Sequence, residues 1–487
     1  MRRVVIRRSD LGGLPFGLPH GVTVSADEIE RMLNHQSVPD GLPFLIEDDG
    51  SFTGVWSINH YLRDAQRQQG LDLGAMKRSH VYNLARPTRF IRQARALVAA
   101  GNAGIDLDAW LEVHSMPKVD LTAMTREELT DYSQARGQEV AATTWNTELG
   151  TIAAFFDYAV KQGWVEASPV PRWGQRNRNT LARRVKHARD PKFLNEVQLR
   201  HFLKTGLRGD GATERPAHPE RDYSYGVLLA STGVRREEGG FLLDCEIPAL
   251  AAMPSDGIWP FTRIGKGQQP RTVYVTAELV RAIDLYRTVE RPAVIRAAQS
   301  GLRALRREGR LLVAESVEHR SDGRAVVRLN GKEVVAYRLT DEDRARLVVI
   351  SDRGDIEPLA LFVSRRGLAP DVKHWNETFV AARARAHASG SDQRPPQHIT
   401  VTPHVMRHTF AVRLLSALMR EGQRTQQDPY ALMANPVLTV MQLLGHASAE
   451  TTQRYLYAAE RYSEELPAAL KKVATVSASR AGEGSEQ

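Results

Sequence analysis

Two late segments carry side chains suited to one kind of reaction. "TPHVMRHTFAVRLL" sets His404 and Arg407 three residues apart, so on a helix they share a face, and His408 follows. "LLGHASAETTQRYLYAAERY" supplies His446 and three tyrosines, Tyr455, Tyr457 and Tyr462. Earlier, "TGVRREEGGFL" places Arg235 and Arg236 just past a glycine turn, and "RIGKGQQPR" holds Lys266 in a tight turn. These residue types together suit transfer of a phosphodiester. Arginine forks hold the non-bridging oxygens and stabilise the charge of a pentacoordinate transition state. A lysine can protonate a departing 5′ oxygen, and a histidine can accept or relay the nucleophile's proton. Tyrosine suits covalent catalysis because its phenolate leaves readily, so the phosphotyrosine bond keeps the energy needed for religation.

Each signal is weak alone. His60–Arg63 and His218–Arg221 repeat the spacing of His404–Arg407, and an isolated pair of this kind is ordinarily a surface pair. Lys332 in "NGKE" competes with Lys266 on the same turn chemistry. His446, after an apolar run and a glycine, fits an ordinary helix cap. His404 and His408 have zinc-like spacing, but the glutamate of a HExxH site is missing and the chain has one cysteine, Cys245. No metal and no cofactor are expected.

The elements that must position these residues follow from length and pattern. At 487 residues the chain can hold two or three domains, and 42% hydrophobic with 25% charged residues is ordinary globular composition. The sequence has no apolar run of membrane-spanning length, and "MRRVVIRRSDLGG" lacks a signal-peptide core, so a cytoplasmic protein with no membrane partner is expected. The net charge of +9 favours a polyanion. Residues 1–50, rich in Gly and Pro turn signals, read as an N-terminal extension of unassigned role. Residues 51–171 read as helical. "TWNTELGTIAAFFDYAVKQG" spaces Leu149, Ile152, Ala153, Phe156, Tyr158 and Ala159 along one helix face. Residues 172–192 form a basic linker in which Arg176, Arg178, Arg183, Arg184, Lys186 and Arg189 are candidate DNA-backbone contacts. A second domain, residues 193–472, alternates helices with a hairpin around "IGKGQQPRTVYV" and contains a β-rich stretch at about 285–358, where Asn330-Gly331 signals a hairpin. Residues 473–487 read as a disordered tail.

With these motifs in this order, the chain resembles the tyrosine recombinases, or phage-integrase family. The resemblance rests on "TGVRREEGGFL", "IGKGQQPRTVYV", "TPHVMRHTFA" and "LLGHASAETTQRY", and on "TTWNTELGTIAAFFDYAVKQG" in the first domain. It implies a mainly α fold with a small β-sheet: a helical, SAM-like core-binding domain and an α+β catalytic domain of the DNA breaking–rejoining type. Carried over by position, Arg235 is the first catalytic arginine with Glu238 as its supporting acid, and Lys266 is the hairpin lysine. His404 and Arg407 form the HxxR pair with His408 in support, His446 is the late histidine, and Tyr455 is the nucleophile. Tyr457, two positions on at ~100° per residue, points nearly the opposite way on a helix.

Membership implies site-specific recombination of double-stranded DNA by a homotetramer on two sites, through a 3′-phosphotyrosyl intermediate and a Holliday junction. It leaves room for accessory DNA-bending proteins and implies a bacterial or phage-encoded, nucleoid-associated enzyme. The segment after Tyr455, with Leu466, Ala469 and Leu470, would be the helix donated to a neighbouring subunit. Three features depart from the family pattern: Thr147 where a basic residue is usual, the insertion at about 285–358, and the lengthened link "REGQRTQQDPYALMANP". The alternatives are a type IB topoisomerase-like enzyme, which relaxes supercoils without a specific site, and a non-catalytic DNA-binding protein, which forms no covalent adduct.

Overall fold

The computed structural model describes residues 1–5, 25–49, 53–69, 71, 73–173, 178–184, 191–209, 214–264, 269–320, 324–388, 400–425 and 435–446, together with 452, 453, 455, 456, 458 and 459. The chain divides into two compact units, Met1–His187 and Ala188–Gln487. Both are mainly helical with small sheets, as the sequence leads one to expect. Among the described residues no helix is long and apolar enough to cross a membrane.

The first unit is built around helices Trp56–Gln69, Val81–Asn102, Arg126–Glu139 and Ala142–Lys161. The last of these buries Trp145, Leu149, Ile152, Phe155 and Phe156 almost completely, so the apolar face read from its spacing is the core face. The chain leaves it through Gly163 in the left-handed region, φ 71°. Within residues 1–50, expected as an extension, the described segments 1–5 and 25–49 join this unit. Arg2–Val5 pairs antiparallel with Pro43–Ile46, and Val38, Leu42 and Leu45 are buried in the same core as Ile58, Leu62 and Leu84. Arg92 fixes this segment with a two-armed bond to Glu47, both arms 2.8 Å. The Gly/Pro turn signals concealed the segment because its core residues lie between turns, too few in a row for a period to emerge.

The start of the basic segment also belongs to this unit and is not a solvated linker. Arg172–Trp173 pairs with Arg178–Asn179, and Trp145 Nε1 donates to the Leu181 carbonyl at 2.8 Å. The Asn146 side-chain amide bonds both backbone groups of Arg183, at 2.9 and 2.8 Å. The Arg183 guanidinium donates to the Ser133 carbonyl at 2.6 Å and lies 5.7 Å from the Trp145 ring centre. It occupies the space that a side chain at Gly137 would fill. A candidate DNA contact in the sequence, Arg183 is therefore engaged within its own unit.

The second unit centres on helices Pro219–Thr232, Ala277–Val289, Val372–Ala388 and Pro403–Thr425. Tyr225 stacks on Trp375 with ring centres 3.6 Å apart, and Leu228, Leu229, Ile283, Tyr286, Phe379 and Met406 fill the surrounding core. Against it lies the expected hairpin, Ile258–Ile264 paired with Pro270–Thr276, whose Phe261, Val273 and Val275 face inward. The stretch expected as an insertion holds helix Arg291–Arg307 and two three-stranded sheets. In one, Ser316–His319, Ala325–Leu329 and Lys332–Val335 form a meander that turns through Asn330 (φ 49°) and Gly331 (φ 73°). In the other, Leu347–Ile350 pairs in parallel with Leu312–Ala314 and antiparallel with Ile356–Pro358.

Arg344 locks this stretch to the rest of the unit. It is 0% exposed and holds Glu246 with two bonds of 2.8 Å. Its remaining donors reach the carbonyls of Ala336, Phe241 and Leu339. Arg344→Ala removes the cation hydrogen-bonded to the buried Glu246 carboxylate, and should destabilise the second unit by about 3–5 kcal/mol in chemical denaturation. A loss below about 1 kcal/mol would mean that the carboxylate finds another partner.

Candidate active site

The helix Pro436–Leu444 ends at Gly445, which takes the left-handed conformation, φ 63°. The last carbonyls of a helix have no partner within it and carry the negative end of its dipole. Here three consecutive carbonyls each receive an arginine. Arg271 Nε donates to Leu443 O at 3.0 Å, Arg407 donates to Leu444 O, and Arg235 donates to Gly445 O at 3.4 Å. The glycine is required twice over: φ is positive, and a Cβ would sit 3.0 Å from the Arg271 side chain. The other arm of Arg407 donates to Gly233 O, at the left-handed end (φ 64°) of helix Pro219–Thr232. A Cβ on Gly233 would strike the Phe410 ring at 2.3 Å. Arg407 thus ties together the C-terminal ends of two helices.

Glu238 bridges two of the arginines. It accepts from the Arg235 backbone N–H at 2.9 Å and guanidinium at 2.8 Å, and from both terminal nitrogens of Arg271. Burial alone would raise its pKa. The hydrogen bonds and charge of Arg271, reinforced by Arg235, hold it down at about 2. Arg407 is only 3% exposed, and burial together with the facing charge of Arg235 lowers its pKa to about 10, so it stays protonated at neutral pH. Three guanidinium groups against one carboxylate leave a positive pocket.

The tyrosine of interest faces this pocket. Tyr455 sits on helical backbone, 2% exposed, packed in a cluster with Ala411, Leu415, Val440 and Leu444. Its hydroxyl lies 2.7 Å from His408 Nδ1 and interacts electrostatically with Arg407. The His446 ring lies parallel to the phenol, centres 6.0 Å apart, with its Nδ1 2.9 Å from the Thr452 hydroxyl. His404 is exposed, its ring 4.2 Å from that of His408. The histidine touching the phenol is therefore His408, read from sequence only as support, whereas His404 stands one ring further out.

Arg235, Glu238, His404, Arg407, His408, His446 and Tyr455 are brought together. Lys266, Tyr457, Tyr462, Leu466, Ala469 and Leu470 lie outside the described residues, as do Arg176, Lys186 and Arg189. Arg178 is described only as strand backbone, and Arg184 is exposed. The competitors go elsewhere. Arg236 bonds Asn376 at 2.8 Å, and Lys332 is exposed on the meander strand Lys332–Val335. His60–Arg63 form a local pair in the first unit. His218 meets Glu290, and Arg221 meets Asp222.

Arg271 is the residue that the sequence reading missed. Its signal was parity: it shares the inward face of its strand with Val273 and Val275, and a buried arginine at such a position needs an anionic or carbonyl partner. Among the described residues no group of three or more His, Cys, Asp or Glu side chains could hold a metal ion. As it stands, the site can bind an anion between Arg235 and Arg407 and pass a proton between a phenol and an imidazole.

No family model and no curated protein sequence matches the chain. Solved structures similar to it include the Tn1549 transposon integrase in complex with circular intermediate DNA, at 13% identity and TM-score 0.40, covering 82% of this chain and 94% of that one. The XerH site-specific recombinase bound to difH substrate is 14% identical with TM-score 0.40, covering 92% of this chain and 89% of that one. The catalytic domain of bacteriophage HP1 integrase is 17% identical with TM-score 0.26, covering 58% and 95%.

Glu238 gives the site a pH signature. Its pKa falls from 4.5 to about 2 on folding, so the stability it contributes is present above about pH 4.5 and is lost as pH falls towards 2. The stability gap between the parent and Glu238→Gln in denaturant titrations should narrow by about 2 kcal/mol between pH 6 and pH 3. A gap independent of pH would show that the carboxylate is not held in its charged form.

Proposed function

We propose that the chain is a site-specific DNA recombinase that cleaves and rejoins strands with Tyr455. The observation that carries this reading is the contact between the Tyr455 hydroxyl and His408, beside two arginines seated on neighbouring carbonyls of one helix end. A backbone phosphate placed between Arg235 and Arg407 puts its non-bridging oxygens against both guanidinium groups. The phenol gives its proton to His408 as its oxygen bonds to phosphorus, and the bond to the 5′ oxygen breaks. Lys266, in the turn of the hairpin that also carries Arg271, is the candidate to protonate that leaving oxygen, and His404 and His446 flank the reacting group. Attack by a 5′ hydroxyl from a partner duplex on the 3′-phosphotyrosine reverses the chemistry and regenerates the phenol. A tetramer on two double-stranded sites would complete the exchange.

Two features support DNA as the substrate. The net charge is +9, and the pocket holds more guanidinium groups than carboxylates. The buried phenol must be uncovered as DNA enters, so the segment carrying Tyr455 moves or its cover does.

A pool of nicked duplexes of random sequence, incubated with the chain and denatured in detergent, tests the reading and recovers the site. The parent should retain covalently bound DNA. Tyr455→Phe should retain none while binding DNA with nearly the parent's affinity, and Tyr457→Phe should still form the adduct. An adduct that survives Tyr455→Phe would move the nucleophile, and relaxation of supercoiled DNA without any recovered site would favour a topoisomerase-like activity. Arg235→Ala and Arg407→Ala should each slow adduct formation about 10²–10³-fold, the usual loss for one preorganised donor. A loss under about tenfold would place that arginine outside the reaction.

A further inference from the structure

The helix Arg291–Arg307 opens the stretch that sets this chain apart, and its charge is one-sided. It contains five arginines and no acid. Ile295, Ala298 and Leu302 face the core. At 100° per residue, Arg296, Arg303 and Arg307 fall within about 40° of one another on the outer side, spaced ~10 Å and ~6 Å along the axis. All three are exposed, as is Arg306. The neighbouring helix Ala277–Val289 shows the ordinary arrangement. Its arginines are matched along the helix, Glu278 with Arg281 at 3.7 Å and Asp284 with Arg287 at 2.9 Å. On Arg291–Arg307 the i, i+4 pair is Arg303 with Arg307, which disfavours the helix by about 0.2–0.5 kcal/mol. The helix dipole accounts for Arg306 and Arg307, in the last turn, but not for Arg296. Among the described residues, Asp355 meets Arg303 at 3.1 Å, with Arg303 still 58% exposed.

The mounting is rigid. Arg291 reaches the carbonyls of Leu361, Pro358 and Ala360, and the Gln299 amide bonds both backbone groups of Ile356, at 2.9 and 3.0 Å. A turn at residues 364–368 packs against the same helix, its Gly367 (φ 77°) pressed on Ala298 and Leu302. This turn adds two exposed arginines, Arg365 and Arg366. Small residues, Ser300 and Ala304, lie beside the arginine row, so a large anion can approach closely.

We propose that this face of helix Arg291–Arg307, with the adjoining 365–366 turn, is a second DNA-contact surface that grips the phosphate backbone of a duplex away from the reacting phosphate. The inference rests on the recombinase reading and extends it to a region with no assigned role. Over the ~16 Å from Arg296 to Arg307 a duplex presents roughly nine phosphates, both strands counted. A fixed row of guanidinium groups meets that array without ordering any backbone. The surface adds affinity without sequence preference.

The test is equilibrium binding of the full chain to a duplex of random sequence, followed across a potassium chloride series. Each lost phosphate contact lowers the slope of log affinity against log salt by about 0.9. The triple variant Arg296→Gln, Arg303→Gln, Arg307→Gln should lower the slope by about 2–3 and weaken binding at least tenfold at low salt. Its covalent adduct at saturating DNA should equal the parent's. The control Arg320→Gln, Arg328→Gln, which alters two arginines paired with Glu333 elsewhere in the same stretch, should leave the slope unchanged. A slope change below about 1 in the triple variant, or an equal change in the control, overturns the proposal. Should the triple variant fail to fold, Arg296→Gln, Arg365→Gln, Arg366→Gln replaces it with the same thresholds. Slope loss in the triple variant, with a parent that binds DNA but forms no adduct, keeps this surface and removes the recombinase reading. An adduct without the slope loss does the reverse.

Discussion

Three neighbouring carbonyls at the end of one short helix, those of Leu443, Leu444 and Gly445, are held by three arginines that come from three different elements. Arg235 starts a helix, Arg271 lies on a strand and Arg407 sits on a long helix. Everything else at the site depends on that meeting point. It satisfies carbonyls that would otherwise be buried without a donor, and it sets cations at the negative end of a dipole. It also brings together side chains that lie far apart in sequence.

The same arrangement is electrostatically incomplete. Glu238 balances one of the three charges, and its depressed pKa records how strongly it is held. The charge of Arg235 still opposes that of Arg407. An anion of one or two charges between them would relieve this repulsion. The buried phenol of Tyr455, bonded to His408, waits at its edge. In the proposed reaction, His408 is the neighbour placed to take the phenol's proton.

The family resemblance marked Arg235, Glu238, Arg407, His446 and Tyr455 by position, and the structure brings these side chains together. The helix Ala142–Lys161, the Asn330-Gly331 hairpin and the pairing of Ile258–Ile264 with Pro270–Thr276 follow from period and turn chemistry. Three things were hidden. Val38, Leu42 and Leu45 stand scattered among turn residues and show no period, yet they join the first unit's core. Arg183, counted among basic residues open to DNA, is engaged by Ser133 and Trp145, which only tertiary structure could reveal. Arg271 and His408 act through neighbours distant in sequence, so no local motif marks which arginine or histidine will touch the acid or the phenol.

The most direct measurement of the central claim is the mass of the tyrosine-containing peptide after a covalent protein–DNA complex is digested with nuclease and protease. A nucleotide remnant joined through phosphate to Tyr455 is the predicted result. The same remnant on Tyr457, Tyr462 or any other side chain would contradict the account, which rests on the Tyr455 phenol lying against His408 and Arg407.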